Sequence, residues 1–75
     1  MNVTLEEVSE IVCLQLGVER VQPEDRLLED LGSTSADILN LIVAIEDRFE
    51  ISIDEEESAG LLTVSDLHQL TLRLS

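Results

Sequence analysis

The sequence predicts an all-α fold, a small antiparallel helix bundle with three main helices, one short helix and a long loop between helices I and II. Three observations carry that prediction. Apolar residues recur at helical spacing in three segments, and each segment is entered through a Thr with Glu or Asp three residues later. Alternation suited to a strand occurs only at Ile51-Ser52-Ile53, where a lone strand has nothing to pair with, so this stretch reads as an extended linker.

Helix I opens on Thr4-Leu5-Glu6-Glu7, a capping box in which the Thr4 hydroxyl accepts the Glu7 amide and the Glu7 carboxylate reaches back. Val3 and Val8 stand where a hydrophobic staple would. Leu5, Val8, Ile11, Val12 and Leu16 then recur on one face until Gly17, a C-terminal stop. Cys13 lies beside that face and reads as a small buried apolar residue, with no base or metal-ligand partner near it in sequence.

Residues 17–34 make an unusually long connection containing the only proline, Pro23. Loops of this length are functional or disordered, and the interspersed Val18, Val21, Leu27, Leu28 and Leu31 predict one pinned against the core, with a short turn after Pro23. Gly32 is free to take a positive φ just ahead of the next helix. Helix II carries the fullest stripe: Ile38, Leu41, Ile42, Ile45 and Phe49 fall at i, i+3, i+4, i+7 and i+11. Ser33, Thr34 and Ser35 can each cap it, and Thr34 with Asp37 resembles a capping pair. Asp54 to Ala59 supplies one or two turns stopped by Gly60. Thr63 and Asp66 then open a last helix with a narrower face of Val64, Leu67, Leu70, Thr71 and Leu74.

Seventy-five residues amount to one domain, spanning 1–75, that buries only roughly 60% of its unfolded surface and leaves no room for a deep catalytic cleft. A conventional small-molecule enzyme is disfavoured. Four basic residues against 17 acidic ones give a net charge of −13, which repels nucleic acid and anionic membranes and attracts partners with basic patches. With 44% hydrophobic residues the chain nonetheless has the means to fold. The longest apolar run, from Ile38 to Ile45, is far below the ~20 residues of a membrane span. The N-terminus lacks the basic region of a signal peptide, and a single cysteine suits a reducing cytoplasm.

Chemistry-bearing constellations are few. The one histidine, His68, falls on the polar-to-boundary side of the last helix and reads as a solvated residue without the partners of a hydrolytic site. One Cys and one His cannot build a zinc site. The run Asp54-Glu55-Glu56-Glu57 lacks the spaced oxygen ligands and central Gly of a calcium loop and reads as a solvated helix start. No catalytic or metal residue is assigned. What stands out is Ser35, at the start of the most regular helix and just after a glycine turn. Asp37, Asn40, Val43, Glu46 and Asp47 follow it on the face of helix II away from the apolar stripe.

The stretch from Glu29 to Phe49, EDLGSTSADILNLIVAIEDRF, resembles the acyl carrier protein family, and LTVSDL from Leu62 to Leu67 resembles that family's entry to its last helix. The resemblance covers essentially the whole chain. It implies a monomeric carrier holding acyl groups as thioesters on a phosphopantetheine arm attached to Ser35. It also implies as partners a phosphopantetheinyl transferase and acyl-loading and acyl-processing enzymes with basic docking patches. Asp37, Asn40, Glu46 and Asp47 would form the docking face, with Val43 as its apolar anchor. The family usually presents Asp-Ser-Leu at the attachment site, whereas this chain has Thr34-Ser35-Ala36. The change removes an acid that basic partners read and an apolar contact available to the loading enzyme. Ser33 is the competing hydroxyl. A different class of protein, an acidic carrier-like interaction module that never receives the arm, is the alternative those two residues favour. The pathway, whether fatty acid, polyketide, peptide or lipid modification, stays open.

Overall fold

Helix α1 (Leu5–Leu16) begins where its capping box dictates: Glu7 N donates to Thr4 Oγ1 at 3.1 Å and Thr4 N to Glu7 Oε1 at 3.1 Å. The computed structural model describes residues 3–75. Val3 and Val8, the residues flanking the cap in staple positions, are both buried in the core. Gly17 ends the helix in the left-handed region at φ 69°, its N–H donating to the Cys13 carbonyl at 2.9 Å.

Helix α2 (Ser35–Phe49) is capped by Thr34 and buries Leu41, Ile42, Ile45 and Phe49, with Ile38 half-buried beside them. It runs antiparallel to α1, since Arg48 at its end reaches Glu7 at the start of α1, N to O 3.5 Å. Its C-cap is Glu50 at φ 54°, a left-handed position that costs a residue with a Cβ about 1 kcal/mol. Ile51 and Ile53 follow as extended linker packed against the core, with Ser52 outward. Helix α3 (Glu55–Ala59) is one short piece ending at Gly60, and α4 (Val64–Leu74) is entered through the Thr63–Asp66 box. Among the described residues there is no strand; one isolated bridge joins Arg26 to Thr63. Helix α1 packs on both α2 and α4.

The long connection is pinned as expected, and by its backbone. The Pro23 and Asp25 carbonyls accept Ser65 N at 2.8 Å and Val64 N at 3.1 Å, two donors that the start of α4 would otherwise leave unpaired. Leu27 N in turn donates to Leu62 O at 2.9 Å, and the Leu27 side chain is 2% exposed.

Three expectations are corrected. Leu28 does not join the core but is 53% exposed: residues 27–30 form a turn closed by the Asp30 and Leu31 amides on the Arg26 carbonyl, and in it Leu27 takes the inner side and Leu28 the outer one. His68 is half-buried rather than solvated, its Nε2 lying 2.9 Å from the Val3 carbonyl, which ties the entry of α1 to α4. Cys13 is half-buried at the edge of a hollow between α1 and residues 19–23 rather than in the core.

Candidate functional site

The site is assembled where the connection meets α2. Gly32 at φ 65° turns the chain, and a side chain there would meet a strained backbone. Thr34 Oγ1 then accepts Asp37 N at 3.2 Å while Thr34 N donates to Asp37 Oδ2 at 2.9 Å. This reciprocal pair fixes the first turn of α2 and leaves the Ser35 side chain outside it.

The competing hydroxyls differ in what they do. Ser33 is half-buried and its Oγ donates to the Leu27 carbonyl, so the hydroxyl is committed to holding the connection. Thr34 Oγ1 is committed to the cap. Ser35, the first residue of α2, is exposed and lines a groove of about 330 Å³. Leu27, Ile38 and Ile42 contribute buried and half-buried side chains to that groove, Leu28 and Leu39 exposed ones, and Ser58, Ala59 and Leu61 close the far wall. Among the described residues no charged side chain lines it. Ser58 Oγ donates to the Glu55 carbonyl at 2.9 Å, so its polarity is spent within α3.

The face of α2 proposed from sequence divides in two. Asn40, Val43 and Asp47 are exposed, Val43 at 61%. Asp37 and Glu46 are half-buried and occupied: Asp37 serves the cap, and Glu46 Oε2 accepts the Ile53 amide at 2.8 Å, tying α2 to the linker before α3. Arg48 turns toward α1 and lies over the Phe49 ring, 5.4 Å from its centroid. Sequence reasoning did not find Leu28 and Leu39 as exposed apolar residues lining the groove with Ser35, nor Leu62 as an exposed one in the hollow that Leu28 also lines. For Leu39 a signal was present, since it falls outside the i, i+3, i+4 series that the stripe follows.

The family model for a phosphopantetheine attachment site matches residues 6–70. The chain belongs to the acyl carrier protein family. It is 41% identical over 66 residues to the acyl carrier protein of Helicobacter hepaticus, covering 85% of this chain and 87% of the relative. It is 44% identical over 63 residues to that of Nitratidesulfovibrio vulgaris, covering 81% and 83%. The fold is similar to the crystal structure of the acyl carrier protein from Thermotoga maritima, with a TM-score of 0.78 and 28% identity over 93% of this chain and 84% of that one. This is a carrier and not an enzyme, and the unmodified-module alternative finds no support in the comparisons.

The prosthetic group implied by the family is a covalently held phosphopantetheine, whose terminal thiol carries acyl groups as thioesters. The local chemistry fits it. Attachment needs a hydroxyl that an approaching enzyme can reach, and a phosphate is favoured at a helix N-terminus, where the dipole is positive and amides are unpaired. Ser35 offers an exposed hydroxyl at such a terminus.

Proposed function

We propose that Ser35 bears the arm, and that the side of α2 next to it, with Asn40, Val43 and Asp47 exposed and Asp37 and Glu46 half-buried among them, is where the loading and processing enzymes dock. The observation that carries the reading is the contrast among hydroxyls. Ser33 and Thr34 are used inside the fold, while Ser35 stands exposed at the first position of α2. The partners are a phosphopantetheinyl transferase and acyl-handling enzymes with basic patches, drawn to a chain of net charge −13. Such a carrier must bind several enzymes in turn and leave each, which suits charge steering better than a large dry interface. The carrier works as a cytoplasmic monomer. No described helix is long and apolar enough to cross a membrane.

The groove beside Ser35 shelters the aliphatic part of the cargo, each methylene it buries contributing roughly 0.8 kcal/mol. The test is an intact mass after incubation with a broad-specificity phosphopantetheinyl transferase and coenzyme A. Wild type and Ser33→Ala gain the arm, and Ser35→Ala does not. A full mass increment on Ser35→Ala moves the site elsewhere and ends the assignment. Stability should change by less than about 1 kcal/mol in Ser35→Ala, because Thr34 and not Ser35 caps the helix.

A further inference from the structure

Ala36 supplies almost no apolar surface beside Ser35, yet three leucines nearby are conspicuously uncovered: Leu28 at 53%, Leu39 at 64% and Leu62 at 68% exposure. They come from three different parts of the fold, the α1–α2 connection, α2 itself and the segment before α4. They are nevertheless continuous. Leu28 and Leu39 line the same groove as Ser35, and Leu28 and Leu62 line an adjoining hollow with Leu61 and Glu29. Exposed apolar residues scattered singly need no explanation, whereas a contiguous set beside a reactive group marks an interaction surface.

We propose that Leu28, Leu39 and Leu62 form the surface gripped by the phosphopantetheinyl transferase that loads this carrier, and that the transferase meets it with an aliphatic cleft edged by basic side chains. The inference rests on Ser35 as the attachment residue. An enzyme that reaches the Ser35 hydroxyl has to cover Leu28 and Leu39, because the three line one groove. The basic edge follows from charge. Glu29 flanks the ridge with its side chain 67% exposed, and the nearby Arg26 is matched by both Glu29 and Asp30. Along α2, by contrast, two of the three acids serve internal hydrogen bonds, which leaves Asp47 to attract a partner there. In the loading step the Ser35 Oγ–phosphorus bond forms as the phosphorus–oxygen bond inside the pyrophosphate of coenzyme A breaks. The nucleotide bisphosphate leaves, and the serine proton passes to a base on the transferase.

The experiment follows loading of the full chain by intact mass, with a broad-specificity phosphopantetheinyl transferase and coenzyme A. It compares wild type, Leu62→Asn, the double variant Leu28→Asn/Leu62→Asn, and Leu14→Asn. Leu14 is 75% exposed and shares a cleft with Arg48, 13 residues along α2 from Ser35 and so about 20 Å away. The double variant should lose about tenfold or more in kcat/KM, mainly through KM, with a smaller loss in Leu62→Asn and less than about twofold in Leu14→Asn. Thermal melts accompany each variant, and Leu62→Asn, the more exposed position, carries the test if the double variant melts early. Loading of wild type and Leu62→Asn at equal rates overturns the proposal, as does an equal loss in Leu14→Asn. An absence of loading in wild type overturns the Ser35 reading itself, and this surface falls with it.

Discussion

Replacing Thr34 separates two jobs that one residue can do at the start of α2. Thr34→Ala removes the acceptor of the Asp37 amide, a 3.2 Å bond at an exposed helix end, and should cost about 1 kcal/mol. In a domain of 75 residues that is a fall in Tm of roughly 4–8 °C. Thr34→Asp keeps the cap, since Asp ranks at least as high as Thr there, and adds about 0.3–1 kcal/mol from the helix dipole. The gain is opposed by the Asp37 carboxylate, whose Oδ2 already lies 2.9 Å from the residue-34 amide. The two effects should nearly cancel, leaving Thr34→Asp within about 0.5 kcal/mol of wild type in urea. Loading should respond differently. An acid restored next to Ser35 should speed association with a basic transferase roughly two- to threefold at low salt, and the gain should vanish as salt shortens the screening length. Two results would refute this reasoning: Thr34→Ala as stable as wild type, or Thr34→Asp as destabilised as Thr34→Ala.

Glu46→Ala should cost about 1–2 kcal/mol and speed hydrogen exchange at the Ile53 amide, which loses its 2.8 Å partner; unchanged exchange there would mean that the bond does not hold the linker. Glu50→Gly should stabilise by about 1 kcal/mol in urea, because the left-handed cap at φ 54° is free of strain for glycine. Salt or magnesium should raise the Tm at neutral pH by screening the net charge of −13, and a flat response would contradict that picture. Asp30 contributes to the acid limb: hydrogen bonds from the Arg26 side chain and backbone hold its carboxyl below the ordinary value. A folded-state pKa below the unfolded one stabilises above about pH 4 and is lost as pH falls through the lower value, so Asp30→Asn should flatten the Tm profile in that range.

The parts of the fold that were legible are the local ones. Thr4 with Glu7, Thr34 with Asp37 and Thr63 with Asp66 each complete a box within four residues, so the pattern in the sequence is already the whole interaction. Gly17 and Gly32 are legible for the same reason, because positive φ is a property of one residue. The connection between α1 and α2 shows the opposite case. Its apolar residues announced that it is pinned, but the pins join Leu27 to Leu62, Asp25 to Val64 and Pro23 to Ser65 through backbone atoms that every residue carries. No side-chain pattern encodes that register, and so nothing distinguished Leu27, which turns inward, from Leu28, which turns out. His68 was misread likewise, because its partner is a backbone carbonyl 65 residues away.

The acidity of the chain invites reading all of it as a lure for basic partners, and the hydrogen bonds divide it. Among the described residues, Glu7, Asp25, Asp30, Asp37, Glu46, Glu57 and Asp66 each accept a backbone amide. These seven of the 17 acids satisfy donors at helix starts and turns that a short chain with little core must otherwise leave to water. The remaining ten carry the steering charge, and on the long helix beside Ser35 they include only Asp47. Of the residues that sequence spacing assigned to docking, Asp37 and Glu46 each already hold an amide, and such a carboxylate gives a partner's lysine or arginine less than a free one does. If Ser35 bears the arm as proposed, attraction of a partner is spread over the acids left free, and discrimination at Ser35 falls to what is exposed in its groove, Leu28 and Leu39.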